Sequence, residues 1–243
     1  MRRRILTSAG TYALSAKSYV QDGLVALWDG IENAGWGVHD ANATVWKDLC
    51  GNYFQTSGEA KNWDGVSLVC NKDTKLLFGG FFGFQSLTVE TIVQCDELYN
   101  NSYIIDAHER TGKTGFASYV TNLSDPFGIR FSFGVARDTP GYAYSLPTKP
   151  DASRFAHGSL VCDAAAKTVS LFSFGQNLQT QRNLSFKANE TQAFAIAGHS
   201  TNNTNFFLGR IMSIRVYSRN LSAIEIQRNL GVDKARFGIG GGA

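Results

Sequence analysis

Between Gly23 and Tyr217 the chain is built from short runs rich in β-branched and aromatic residues, punctuated by Gly, Asn and Asp. "GLVALWDG", "SLTVETIVQC", "SYIIDAH", "TGFASYV", "FGIRFSFGV", "GYAYSL", "TVSLFSFG", "AFAIAGH" and "FFLGRIMSIRVY" follow one another with turn residues between them. That punctuation suits extended segments joined by tight turns. In "SLTVETIVQC" Leu87, Val89, Thr91 and Val93 share one face, and Thr88, Glu90, Ile92 and Gln94 share the other. Period 2 with one apolar face predicts a half-buried strand. "HGSLVCDAAAKTVSLFSFGQN" reads as a hairpin whose two runs are joined by "DAAAK". Together these predict an all-β chain of two antiparallel sheets packed face to face.

Length and composition fit one such unit. A β-sandwich of 243 residues has room for a sizeable core, and no composition shift or fixed-period repeat marks a second domain. The expected organisation is an N-terminal arm over 1–20, one domain over 21–231 and a Gly-rich tail over 232–243. The net charge of +3 comes from scattered Lys and Arg rather than long basic blocks, which argues against nucleic acid as a partner. No run approaches the roughly 20 apolar residues of a membrane-spanning helix. Cys50, Cys70, Cys95 and Cys162 form no C-x-x-C pair, and three of them stand in apolar runs as small buried hydrophobes. "MRRRILTSAGTYALSAK" imitates a secretory leader, but Thr7, Ser8, Gly10 and Thr11 break its apolar stretch. With no cleaved leader expected, sequons such as "NAT" at Asn42 and "NLS" at Asn122 carry little weight.

The ending has a different character. In "FFLGRIMSIRVY" Met212, Ile214 and Val216 are expected to alternate onto one face, with Gly209 marking a bulge or a close approach. "LSAIEI" then starts a helix, with Ser222 as N-cap, Glu225 completing a capping box, and Leu221 and Ile226 forming a hydrophobic staple. The expectation is a short helix of about two turns that lays Ile224 and Leu230 over an open end of the sandwich.

Four passages resemble the concanavalin A-like lectin/glucanase superfamily, in particular its laminin-G-like jelly rolls. "GLVALWDG" is similar to the opening strand and "VWKDLCGN" to a W-x-D-x-x-G-N segment. "SLTVETIVQ" is similar to the central strand, with Ile92 where an aromatic is usual. "FFLGRIMSIRVYSRNLSAIEIQRN" is the most specific match, to the closing strand and helix. The resemblance spans about Val20 to Asn229. It implies a two-sheet antiparallel jelly-roll sandwich with a short C-terminal helix, a concave face or loop rim that binds sugars, and loops that hold calcium.

The superfamily also contains retaining glucanases, whose E-x-D-x-x-E strand supplies the nucleophile and the acid/base. Here Glu90 is followed by Ile92 instead of an acid, and Asp96 and Glu97 are adjacent in sequence, so catalysis by this strand is not expected and no catalytic residue is assigned. The histidines are far apart along the chain, and although a Ser-His-Asp set can be assembled on paper, nothing in the sequence singles one out. For calcium, "HDANATVWKDLCGN" offers Asp40, Asn42, Asp48 and Asn52 as oxygen donors, although the same side chains are also suited to capping turns. Sugar binding needs an aromatic face flanked by planar polar groups. The candidates are Trp36, Trp63, Tyr99, His108, Arg130, Tyr142 and Tyr144, taken as loop residues, while Trp28 and Trp46 belong in the core.

The expected function is a non-catalytic carbohydrate-binding or adhesion module on a bacteriophage virion surface, or alternatively a bacterial cell surface. It would bind a surface glycan, contact neighbouring subunits through its terminal arms and form a homo-oligomer. The alternatives are a structural virion subunit without glycan binding and a divergent glycoside hydrolase.

Overall fold

The structure is a computed structural model that describes residues 14–96, 102–108, 114–121, 128–136, 141–144, 155–190 and 193–239. In chain order the strands are β1 (Leu24–Asp29), β2 (Gln55–Ser57), β3 (Leu68–Cys70), β4 (Leu76–Phe78) and β5 (Leu87–Cys95). They continue with β6 (Ser102–His108), β7 (Gly115–Thr121), β8 (Gly128–Ala136), β9 (Gly141–Tyr144) and β10 (Phe155–Asp163). The last are β11 (Thr168–Ser173), β12 (Gln176–Arg182), β13 (Ser185–Phe186), β14 (Phe194–Ile196) and β15 (Gly209–Tyr217), before helix α1 (Ala223–Phe237).

The described strands form two antiparallel sheets, in the expected all-β jelly-roll arrangement. One has the order β1-β15-β5-β10-β11-β12 with β3 joined to β15; the other has the order β13-β8-β7-β6-β14-β4-β2 with β9 joined to β8. The predicted hairpin is β10–β11, closing at Asp163 opposite Thr168. Between the sheets, Leu87, Val89 and Val93 of β5 meet Ile129, Phe131 and Phe133 of β8 in one apolar cluster. Trp28 and Trp46 are both fully buried in it. Phe78 and Phe194 stack there at 5.2 Å with nearly parallel rings. Cys70, Cys95 and Cys162 are buried thiols, and Cys50 is half-buried with its thiol pushed up to about 12 by burial and by Asp48.

Strand β5 departs from the half-buried expectation. Thr88, Glu90 and Ile92, on the face turned away from the core, are as buried as Leu87 and Val89, because α1 lies across the outer face of the seven-stranded sheet. Asn229 of α1 donates to Glu90 at 2.6 Å, Phe237 joins Ile92 and Met212, and Ile226 joins Val161, Phe172 and Tyr217. The helix covers a sheet face rather than an open end.

It is also longer than two turns. The Ser222–Glu225 capping box and the Leu221–Ile226 contact are present as expected, but the helix runs for 15 residues to a left-handed Gly238 cap. Its buried stripe includes Asn229 and Asp233, two polar residues that hide the apolar period, and Gly231 mimics a stop signal. Ile224, expected to pack inward, is 79% exposed, while Leu230 is buried.

The domain boundaries shift for the same reason. Ala16, Tyr19 and Val20 are buried, with Tyr19 Oη donating to Asp233 at 2.7 Å and the Val20 amide donating to Asn229 at 2.9 Å. Residues 14–20 are therefore part of the domain rather than an arm. The tail expected from 232 instead holds the last turns of α1, followed by buried Ile239. The rest of the expected arm and tail, residues 1–13 and 240–243, lies outside the described residues.

In β15 the expected alternation is broken by one extra residue. Ile211 pairs with Val93 and Ser213 with Ile92, so Met212 is the bulge residue and joins the cluster under α1, while Ile214 and Val216 face the core. Gly209 marks a close approach: it has φ +144°, and a Cβ there would lie 2.2 Å from the Gln94 carbonyl oxygen.

Candidate functional site

Four of the sequence candidates fall on the eight-stranded sheet, on strands rather than loops: His108 ends β6, Arg130 is in β8, and Tyr142 and Tyr144 are in β9. In β8, Ile129, Phe131 and Phe133 face the core, which turns Arg130 and Ser132 to the opposite face. The register of β9 sets Tyr144 opposite Ser132 and Tyr142 opposite Gly134. Tyr99 and Glu97 lie outside the described residues.

Across this face the cross-strand register lines up Tyr103 of β6, Tyr119 of β7 and Arg130 of β8. The Tyr103 and Tyr119 rings lie 5.4 Å apart and tilted, and His199, just beyond β14, meets Tyr103 edge-on at 5.1 Å. A row of three rings therefore runs toward a guanidinium. Tyr103 and Tyr119 were not among the sequence candidates, because their alignment depends on strand pairing that the local pattern does not state.

Beside this row stands a carboxylate. Asp106 is fully buried and accepts from the Ser200 amide at 2.7 Å and the Ser200 hydroxyl at 2.8 Å. Burial alone would raise its carboxyl, but the hydrogen bond and charge of His108 and the two Ser200 bonds outweigh it and hold the group below the usual carboxylate range. His108 Nδ1 lies 3.3 Å from Asp106 Oδ1, and its Nε2 lies 3.0 Å from Ser132 Oγ.

At the β14 end, the segment after His199 also borders a cleft. Asn203 and Phe206 line it with Ser57, Lys72, Asp73, Lys75 and Leu77, in a volume of about 320 Å³. Asp73 is shared with an adjoining cleft of about 450 Å³ lined by Glu59, Lys61, Asn62, Asn71 and Thr74. Lys75 Nζ donates to the Asn202 carbonyl at 2.7 Å, which ties the two sides together. Amide, ammonium and carboxylate groups around half-buried Phe206 are the chemistry that polyhydroxylated ligands need.

The other candidates do not join this face. Trp63 donates its indole N–H to the Ala43 and Ala60 carbonyls and packs edge-on against Trp46, so it braces a loop. Trp36 packs beside the Tyr19, Leu27 and Leu49 cluster, and the Lys17 ammonium stands 5.8 Å over its ring.

The calcium set does not fit a cation. Asp48 Oδ1 accepts from the Leu27 and Cys50 amides, and its Oδ2 accepts from the Asn52 and Tyr53 amides. Four N–H dipoles converge on that carboxylate, where a cation would meet their positive ends. Asp40 caps its own turn through the Asn42 amide, and Asn52 donates its side chain to the Val25 carbonyl. Among the described residues, no three His, Cys, Asp or Glu side chains are grouped to hold a metal ion.

Glu90, the carboxylate that a glucanase-like strand would use, lies fully buried under α1. It faces Arg215 at 3.0 Å, on the sheet face away from the core and away from the row just described. Asp96 pairs instead with Arg210 at 2.8 Å.

A family model for the concanavalin A-like lectin/glucanases superfamily matches residues 71–227, and the chain belongs to that superfamily. Comparison with curated protein sequences returns no match. Among solved structures, the chain is similar to domain 4 of AbnA, an extracellular arabinanase from Geobacillus stearothermophilus, in complex with arabinotriose. The TM-score is 0.57 at 14% identity, over 85% of this chain and 98% of that one. It is also similar to the receptor-binding domain of botulinum neurotoxin mosaic serotype C/D, with TM-score 0.60 at 13% identity over 86% of this chain. The binding domain of Paraclostridial Mosquitocidal Protein 1 gives 0.56 at 13% over 86%. This chain matches about half the length of these last two structures, 51% and 52%. At these identities the likeness is one of fold.

Proposed function

We propose that this superfamily member is a carbohydrate-binding module that receives a surface glycan on the outer face of its eight-stranded sheet and does not cleave glycosidic bonds. The observation that carries the reading is the row His199, Tyr103, Tyr119 and Arg130, of which His199, Tyr103 and Arg130 are partly exposed. Aromatic faces stack on the apolar side of a sugar ring while a guanidinium hydrogen-bonds its hydroxyls. The arabinotriose bound to the similar AbnA domain supports a saccharide as the ligand class. Against glycosidic cleavage stands Glu90, sealed beneath α1.

The reading includes display on a virion surface. Neighbouring subunits would then be reached through the chain ends.

A glycan array with the wild type and the Tyr103→Ala and Arg130→Ala variants tests the binding reading. Wild-type binding that falls roughly tenfold on loss of the Tyr103 ring is expected. Failure of the wild type to bind any glycan, or binding indifferent to both substitutions, sinks it and favours a structural subunit.

A further inference from the structure

Three side chains on the sheet face form a chain of contacts with a definite chemical order. Asp106 and His108 lie on β6 and Ser132 on β8, with β7 between them. The intervening positions are small: Ala117 pairs with both Asp106 and Ser132, and Gly115 pairs with His108. Gly115 has φ +82°, and a Cβ there would lie 2.1 Å from the Ala107 carbonyl oxygen. Gly115 thus fits β7 against the β6 backbone, and the small Ala117 stands on the line between Asp106 and Ser132 that the imidazole spans.

The order of atoms matters more than the proximity. Asp106 Oδ1 lies 3.3 Å from His108 Nδ1, and His108 Nε2 lies 3.0 Å from Ser132 Oγ. An ionised carboxylate only accepts, so Nδ1 carries the proton and Nε2 is left to accept from the hydroxyl. Asp106 is itself held by the Ser200 amide and hydroxyl, which fixes its orientation toward the ring. A carboxylate that orients an imidazole whose far nitrogen touches a serine hydroxyl is the arrangement that activates serine for acyl transfer.

We propose that Ser132 is the nucleophile of an acyl-transfer site that removes small acyl groups esterified to the glycan held on this face. The substrate class rests on the glycan reading; the identity of the nucleophile does not. Ser132 Oγ attacks the ester carbonyl as its proton passes to His108 Nε2. The tetrahedral intermediate collapses with rupture of the bond to the sugar oxygen, which takes that proton and leaves as an alcohol. Water then gives a proton to His108, its oxygen attacks the acyl-serine, and the carboxylic acid departs as Ser132 recovers its hydrogen. Arg130, two residues earlier and on the same face, brings the positive charge that a developing oxyanion requires. Ser132 is 4% and His108 9% exposed, which restricts the proposed substrate to an acetyl-sized group rather than a long acyl chain.

The test treats the full chain with a fluorophosphonate probe and, separately, with p-nitrophenyl acetate, neither of which contains a sugar. The expected result is a covalent adduct mapped by mass spectrometry to Ser132 in the wild type. Labelling and ester turnover should be slowed at least about 100-fold by His108→Gln and abolished by Ser132→Ala. An adduct on another residue, no adduct, or equal rates in wild type and His108→Gln overturns the proposal, and the wild-type mapping decides it even where a variant fails to fold. Glycan binding retained by Ser132→Ala alongside lost labelling separates this proposal from the binding reading, since each can fail without the other.

Discussion

Arg215 of β15 and Asp233 of α1 form a bidentate pair, Nη1 and Nη2 each donating to one carboxylate oxygen at 2.7 Å, with both side chains fully buried. The same guanidinium donates through Nε to Glu90 at 3.0 Å and stands 4.2 Å over the Tyr19 ring. Strand, helix and N-terminal segment thus meet at one charge. Such a group is stabilised by its partners and becomes costly once they are removed.

Asp233→Ala leaves that guanidinium with one carboxylate instead of two and takes the acceptor from Tyr19 Oη. Breaking a buried pair from one side typically costs about 3–5 kcal/mol. Urea denaturation followed by tryptophan fluorescence should show a loss of this order, and a change under about 1 kcal/mol would mean that the pair is not sequestered.

His157 lies under the same helix, with neither ring nitrogen hydrogen-bonded. Burial holds its imidazole down to about 4 from an ordinary 6.5, with the nearby Arg215 and Lys234 acting in the same direction and Asp233 opposing. The ring is neutral in the folded chain and free to charge in the unfolded one. Its contribution is therefore present above pH 6.5 and lost as pH falls from there toward 4. Between pH 7 and 4 the wild type should lose about 3 kcal/mol more than His157→Met. The comparison cancels the opposing effect of Glu90, whose carboxyl burial raises. Parallel pH profiles would contradict the assignment.

Ser222→Ala removes the hydroxyl that accepts from the Glu225 amide. The expected loss is about 1 kcal/mol at neutral pH. Glu225 itself is held down to about 2, first by the Arg219 hydrogen bond and then by Ser222. Its stabilisation is complete above its ordinary 4.5 and fades as pH falls toward 2. Equilibrium melts at pH 7 and pH 3 should therefore show a smaller effect of the substitution in acid.

Trp63→Ala and Tyr103→Ala should separate bracing from binding. Removing the indole deletes two hydrogen bonds and the edge-on contact with Trp46, at about 3 kcal/mol, while folded protein keeps its glycan affinity. Tyr103→Ala should do the reverse, as checked by thermal melts beside isothermal titration.

Much of this fold is legible in local pattern. Hairpin β10–β11, the buried Trp28 and Trp46, the close approach at Gly209 and the capping box at Ser222 all follow from residue type and spacing within a short window. Other features are not. Glu90 reads as an exposed face position because Asn229 and Asp233, which cover its surroundings, lie more than a hundred residues later in the chain. Met212 changes sides through one bulge residue, which period 2 cannot anticipate. Asp48 offers a calcium ligand by type, yet the loop spends its oxygens on four amides. His108 and Arg130 were recognisable as polar groups of interest, but their strand setting and the company of Tyr103, Tyr119 and Ser132 were not.

By itself the sequence determined the class of the molecule: antiparallel strands, an apolar interior, a capped closing helix and superfamily membership, all carried by interactions between residues near one another in the chain. Only the tertiary structure decided what the outer face of each sheet carries. Helix α1 and residues 14–20 cover the outer face of one sheet, and the pairing of β6, β7 and β8 assembles rings, carboxylate, imidazole and hydroxyl on the other. Those arrangements depend on strand register and on packing between distant segments, where a one-residue shift reverses the face on which every side chain stands.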